Sequence, residues 1–510
     1  MTCKDSSISA MSFIDTHLVL LPIATPLVGA MLALLLRRWG RVQAYGAAGT
    51  MGLSLAFSAL LLARVITGGE AVVLQVGGWR FPYGISLVGD PLSALFVVMS
   101  QLVLCAGLIY ALGSKDAIIR YPPFYPLFLL LSTGLTGAFL TGDLFNLFVF
   151  AELLVISGAT LTAASDDRYG TEAAYKYFYM SLLASTFMLL AIGSLYVSYG
   201  TLNMADLAGR IAARPDGSLT TAAIALLMAT FMIKSAVFPF HFWQPDFHAA
   251  APTAVSAMLS SVVVKVGVYG FLRMTTLLFV AQAPLIRAIL LVLGVVGVVF
   301  GGLSAVGTHN VKRMLAYSTL AQVGFILVGI GWGTAPALMA AVVFSFNHSL
   351  IKAAMLMLAG YVASRAPVKS ASFDVVTGVG RQLPAAGVLF FLGGLGLSGI
   401  PPTNGFISKL LLFRSGIEAA RFVPLLIIGL ASILTLVYVI RSFQTIWWHA
   451  PPAETRLKPT GDSLVAPALL IGLVLLFGLW AEPLVKVASD VSLWLMDPAL
   501  YIAAVGGTGG

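Results

Sequence analysis

The chain has 510 residues, 59% of them hydrophobic and only 10% charged, against about 25% charged in an ordinary soluble domain. Twenty-nine Lys+Arg and 20 Asp+Glu cannot clothe a water-facing surface of this size, and so much apolar content excludes disorder. With no Gly repeat and no charged heptads, an all-α polytopic membrane protein remains.

The formal net charge of +9 is read as basic loops that set membrane topology, and the lipid bilayer is the surrounding partner. No Lys/Arg-rich cluster interleaved with aromatics is present, so no nucleic-acid partner is expected. Cys3 and Cys105 are the only cysteines. They give neither a disulfide framework nor a cysteine metal site. The N-terminus lacks a signal-peptide pattern, so the first span is expected to be retained.

Long runs free of Asp, Glu, Lys and Arg mark the spans. Thr16–Leu36, Val42–Ala63, Pro91–Ser114 and Tyr121–Gly142 are clean. Leu144–Ser165 is interrupted by Glu152, and Tyr177–Ala205 follows. Gly217–Pro245 carries Lys234 and Phe247–Leu272 carries Lys265. Ala288–Val311 is clean, and Met314–Leu350 covers parts of two spans about a Gly331–Pro336 turn. The second of these carries His348 and Lys352. Gln382–Phe413 carries Lys409, and Phe422–Ile440 and Ser463–Ala481 close the series. At roughly 20 residues per span this makes about fourteen transmembrane helices in one membrane domain. The alternate loops that include Arg37, Arg38 and Arg41 are the more basic set. By the positive-inside rule both termini face away from the cytoplasm.

Two spans are expected to be broken. The seventh contains Lys234-Ser-Ala-Val-Phe-Pro239, and the twelfth contains Ser398-Gly-Ile-Pro-Pro-Thr-Asn-Gly405. Proline removes an amide donor and clashes with the preceding turn. Irregular backbone at membrane depth survives only inside protein or beside water. Breaks five helices apart suggest two five-helix repeats, 121–275 and 285–448, and broken helices at matching places point to an ion site.

Five mid-span charges carry the chemistry: Glu152, Lys234, Lys265, Lys352 and Lys409, with His348 beside them. Each costs about 2.5–3.5 kcal/mol at the bilayer centre, and packing needs none of them. A carboxylate near an amine changes how tightly that amine holds a proton, so Glu152 and Lys234 read as a switching pair. His348 and Lys352 are spaced i, i+4 and share a helix face. Bland readings stand beside these. Lys352 and Lys409 are near enough to the ends of their apolar runs to snorkel. His248 and Asp246 follow Pro245 at a helix end, where a loop or cap role competes with proton access. His241 and His309 read as interfacial, and Asp143 as an N-cap. Gly394-Leu-Gly-Leu-Ser-Gly399 fits a dinucleotide fingerprint, but no strand or soluble βαβ unit surrounds it. No Walker motif and no His pair with metal or haem spacing stands out, so no cofactor and no metal site is expected.

Several segments carry a resemblance. They are Thr141-Gly-Asp-Leu-Phe-Asn-Leu-Phe-Val-Phe-Ala-Glu152, Phe231-Met-Ile-Lys234 through Phe-His-Phe-Trp-Gln-Pro-Asp246, Ala251-Pro-Thr-Ala-Val-Ser-Ala257, Lys265-Val-Gly-Val-Tyr269, His309 through Gln322, and Asn347-His-Ser-Leu-Ile-Lys352. Together they resemble the proton-translocating antiporter-like family, which includes membrane subunits of complex I, membrane-bound hydrogenases and Mrp-type sodium/proton antiporters. The helix-five wording looks most like the D-type subunits of Mrp antiporters. The resemblance implies inverted five-helix repeats, assembly with other membrane subunits, and protons and Na⁺ as transported ions in a bacterial inner membrane. It matches Glu152 and Lys234 to the family's carboxylate–lysine pair, Lys265 to the central lysine, His348 to the helix-eleven histidine and Lys409 to the terminal charge. A non-enzymatic antiporter subunit is therefore expected. A redox-driven pump subunit is the alternative, and a scaffold with vestigial charges is a third reading.

Overall fold

A computed structural model describes residues 17–164, 168–217, 219–451 and 457–507. Cys3, and the expected span ends at Thr16 and Ser165, lie outside the described residues.

The chain order is α1 (Leu21–Leu35), α2 (Gly40–Gly68), β1 (Val72–Gln75), β2 (Ser86–Gly89), α3 (Pro91–Leu112), α4 (Phe124–Leu140), α5 (Leu144–Ala163), α6 (Arg168–Tyr199) and α7 (Met204–Ala213). Next come α8 (Thr220–Lys234), α9 (Trp243–Ala250), α10 (Thr253–Leu278), α11 (Ala283–Gly307), α12 (Val311–Trp332) and α13 (Ala335–Arg365). The chain closes with α14 (Pro384–Ser398), α15 (Asn404–Glu418), α16 (Phe422–Trp448), α17 (Val465–Leu479), α18 (Glu482–Met496) and α19 (Pro498–Gly506). Among the described residues nine helices are long and apolar enough to cross a membrane. Helices α1, α4, α8 and α14 are shorter apolar helices, and α17 and α18 meet at a bend of 77°.

The apolar stretches of α10 and α13 are wholly buried, whereas most of α2, α11 and α16 faces outward. The two innermost helices are thus the ones that carry Lys265, His348 and Lys352. This distribution follows from cost, since a charge in hydrocarbon is tolerated only where protein oxygen and nitrogen surround it.

Both expected breaks are present. Helix α8 stops at Lys234, and non-helical backbone precedes α9. Helix α14 stops at Ser398, and α15 resumes at Asn404. Three features were not expected. A β1–β2 antiparallel hairpin pairs Val72 with Gly89. Helices α18 and α19 follow the last expected span. Helix α10 also runs past Leu272 to Leu278.

The same local construction appears twice. Thr141 Oγ1 accepts from the Asp143 amide at 3.2 Å, and Asp143 caps α5 by accepting from the Asn146 amide. Thr308 Oγ1 accepts from the Asn310 amide at 3.2 Å, and Asn310 caps α12 by accepting from the Lys312 and Arg313 amides. Asp143 then bridges Asn203, after α6, and Asn310 bridges Ser372, after α13. Each capping carboxylate or amide side chain satisfies amides at a helix start.

A buried ion pair joins two helices near the hairpin. Asp90 caps α3 through the Ser93 amide and meets the Arg273 guanidinium of α10 at 2.6 Å. Arg273 also donates to Ser93 Oγ and Tyr269 Oη, and it lies over the rings of Tyr269 and Tyr501. Tyr501 belongs to α19, so the C-terminal helix helps close this end.

Removing one partner of a buried pair costs about 3–5 kcal/mol, because the other charge stays buried. Asp90→Ala should therefore lower membrane abundance and the melting temperature in detergent, and adding Arg273→Met should restore part of both. Asp90→Ala with wild-type melting would refute this account.

Candidate functional site

The mid-span charges, His348 and His248 lie on α5, α8, α9, α10, α13 and α15. Glu152 projects from α5, and its Oε1 accepts from the Ser185 hydroxyl of α6. Lys234 Nζ lies 3.8 Å from the same carboxylate. The Lys234 side chain is 7% exposed and the Glu152 side chain 24%, so the carboxylate sits at the edge of the bundle in this chain alone. No hydrogen-bond partner for Lys234 Nζ occurs among the described residues. Lys234 is the last residue of α8, where unsatisfied carbonyls give a partial negative charge that favours an ammonium. Gly267 of α10 lets this helix end approach: a β-carbon there would come within 2.5 Å of the Phe231 carbonyl.

Lys265 is fully buried in α10, and its Nζ is 2.8 Å from His348 Nδ1 of α13. His348 Nε2 is buried without a partner among the described residues. His348 also lines a cavity of ≈ 10 Å³ together with Gln322, Leu397, Ser408 and Lys409. That is about the room one water needs.

Lys352 is one helical turn from His348 but turns elsewhere. Its Nζ donates to the Leu315 carbonyl at 2.9 Å and to Ser318 Oγ at 2.8 Å, both on α12. The shared face of His348 and Lys352 thus does not produce a hydrogen bond between them. Lys409 projects from α15 and donates to the Ser398 carbonyl, the last residue of α14, at 2.9 Å. Its ammonium also lies over the Phe325 ring. Both lysines are buried inside the chain, so neither snorkels.

His248 is fully buried in α9, with Nδ1 3.3 Å from Ser256 Oγ and Nε2 unpartnered among the described residues. The residues that follow it border a vestibule of ≈ 1500 Å³, lined by Ala249–Thr253, Lys312, Arg313, His309 and Lys369. Asp246 sits beside this opening, paired with Arg313 and with Lys176. His241 stacks on Phe238 instead of facing open solvent alone.

Sequence reading missed Lys312. The expected spans Ala288–Val311 and Met314–Leu350 leave it between them, yet it lies in the first turn of α12, buried, donating to the Ala251 carbonyl at 3.2 Å. The usable signal was Asn310, whose capping role puts the next residues inside the helix. Ser185 and Ser318 carried no signal, since a serine in an apolar run means little until its partner is known. Among the described residues no group of His, Cys, Asp and Glu could hold a metal ion.

Residues 141–435 match the family described as "NADH:quinone oxidoreductase/Mrp antiporter, TM". The chain belongs to this family. It is 32% identical over 498 residues to the D subunit of the Na(+)/H(+) antiporter of Bacillus subtilis (strain 168), covering 96% of this chain and 99% of that one. It is 34% identical over 492 residues to the N subunit of the NADH-quinone oxidoreductase of Desulforudis audaxviator (strain MP104C), covering 92% and 97%. Among solved structures it superposes on a chain of the Mrp complex from Dietzia sp. DQ12-45-1b with a TM-score of 0.89. Identity there is 26%, covering 97% of this chain and 100% of that chain. The chain is therefore a multi-pass membrane member of this family.

The α14 break supplies a test of how Lys409 is held. Gly399 has φ +77°, and a β-carbon there would come within 2.5 Å of Lys409 Cδ. Gly399→Ala should cost about 1–2 kcal/mol for the left-handed backbone alone. It should also displace the Lys409 ammonium from Ser398. A density map of the variant with the 2.9 Å contact intact would count against this reading.

Proposed function

We propose that this chain is a proton-translocating subunit of a multisubunit Na⁺/H⁺ antiporter, moving protons along Glu152, Lys234, Lys265, His348, Lys352 and Lys409. The observation that carries the reading is the Glu152–Lys234 contact at 3.8 Å, followed by further buried amines and imidazoles. A carboxylate that approaches or leaves an amine changes that amine's affinity for a proton. Small rearrangements around Glu152 would then be felt along the series. His248, close to the vestibule, is the point of proton access from one face. Antiporter names among the relatives support the same reading.

Other membrane subunits complete the working assembly, and the reaction is transport with no chemistry on a substrate. The partial exposure of Glu152 fits a chain that works beside neighbours. We also propose residues 121–275 and 285–448 as two repeats, supported by the duplicated Thr-x-Asx turns before α5 and α12. We also propose an inner-membrane location, which the family resemblance supports, with both termini away from the cytoplasm, which the basic bias of the loops that include Arg37, Arg38 and Arg41 supports.

The 34% identity to a quinone oxidoreductase subunit favours a second reading, in which electron transfer elsewhere drives the same residues. The proteins that co-purify with the chain separate the two: small antiporter subunits or redox subunits.

In membrane vesicles holding the assembled complex, Glu152→Gln and Lys234→Ala should each abolish Na⁺-driven proton movement. Wild-type movement in both variants, with the complex intact, would leave a scaffold role in its place.

A further inference from the structure

Lys352, like Lys265, is fully buried, and no carboxylate contacts it among the described residues. Its ammonium rests on one turn of α12. That turn is a hub of oxygen atoms. The Leu315 carbonyl and Ser318 Oγ accept from Lys352. Thr319 Oγ1 bonds to Ser260 Oγ of α10 at 2.8 Å. Tyr438 of α16 donates to Ser318 Oγ at 2.8 Å. Ser318 and Tyr438 are both buried.

Ser318 Oγ thus receives two donors, a phenol and an ammonium. The bland account is that a buried tyrosine hydroxyl simply needs a partner. It does not explain why the partner is the one hydroxyl that also touches Lys352. An ammonium has three donors and no acceptor, whereas a hydroxyl can accept or donate. When Lys352 is charged, its N–H donates to Ser318 Oγ. When Lys352 is neutral, the Ser318 O–H can donate to the amine lone pair instead. One contact therefore keeps Lys352 in place in both protonation states. A carboxylate would strongly favour only the charged state.

We propose that Ser318 and Tyr438 are positioning residues for Lys352: Ser318 retains the side chain through its protonation cycle, and Tyr438 fixes the Ser318 hydroxyl. This rests on the relay reading. The hub also occupies a place comparable to that of Glu152. Thr319 lies nine residues after the Asn310 cap, as Glu152 does after Asp143. One copy of the construction holds its amine with a carboxylate, the other with neutral oxygen.

The test uses the assembled complex in inverted membrane vesicles, driven by a Na⁺ gradient and read with a pH-sensitive dye. Ser318→Ala should lower turnover about tenfold, since loss of about one ångström of alignment costs that or more. Ser318→Thr, which keeps the hydroxyl, should restore turnover to near wild type. Tyr438→Phe removes a single oxygen and should lower turnover about threefold, in keeping with one hydrogen bond of modest net strength. The Ser318→Ala/Tyr438→Phe double variant should lose no more than Ser318→Ala alone, because both act through the same hydroxyl. Wild-type turnover in Tyr438→Phe, or a Ser318→Thr variant as slow as Ser318→Ala, overturns the proposal. If Ser318→Ala fails to assemble, the Tyr438→Phe result decides. Lys234→Ala run in parallel keeps the two claims apart. Its loss of transport beside a normal Tyr438→Phe removes only the positioning proposal, whereas normal transport in Lys234→Ala removes the relay itself.

Discussion

A buried amine must find a polar partner, and among the described residues buried lysines outnumber buried carboxylates. Burying a charge without partners costs several kcal/mol even after relaxation. Glu152 serves Lys234. Lys265 meets the His348 ring, and three others take backbone carbonyls. Lys409 takes the carbonyl at the end of α14, Lys312 takes Ala251 between α9 and α10, and Lys352 takes Leu315 inside α12. Two of these three carbonyls stand at interruptions in helices, where the last turn leaves oxygen atoms without an intrahelical donor. The broken helices and the buried lysines are thus one feature described twice. Interrupting a helix at membrane depth exposes polar backbone, and an ammonium is the group best suited to occupy it.

The turns before α5 and α12 share one local construction. Thr141-Gly-Asp143 and Thr308-His-Asn310 start helices whose next neighbours return to a bridge with the same cap. Residues placed comparably after these caps differ in charge. Glu152 is an acid that accepts from a hydroxyl, Ser185, on the following helix. The Ser318–Thr319 turn presents the Ser318 hydroxyl to an amine, Lys352, on the following helix. A common backbone plan can therefore carry opposite charge distributions, provided each buried group finds a complementary partner across the same helix pair.

How much of this was legible in the sequence depended on the rule used to find spans. Counting runs free of charge located Glu152, Lys234, Lys265, Lys352 and Lys409, because each interrupts an otherwise apolar run. The same rule hid Asp90, Arg273 and Lys312. Each sits where a run was cut short on its account, so a buried charge was mistaken for a loop charge. Helix α10 shows the error directly: the run ended at Leu272, while the helix continues through Arg273 to Leu278. Proline and glycine announced both breaks, since their backbone restrictions are local. Pairings were not legible. The i, i+4 spacing of His348 and Lys352 puts them on one face, yet Lys265 takes one and Ser318 takes the other. Which neighbour each meets is decided by helices far away in sequence.

The Lys265–His348 contact has a consequence that spacing alone could not supply. A neutral imidazole carries one proton, on either Nδ1 or Nε2. With Lys265 donating to Nδ1 across 2.8 Å, a neutral ring carries its proton on Nε2, which has no partner among the described residues. A neutral amine could instead accept from Nδ1, and Nε2 would then be the acceptor nitrogen. The ring thus reports the protonation of Lys265 on one side as a reversal of hydrogen-bond polarity on the other. No movement of the backbone is needed.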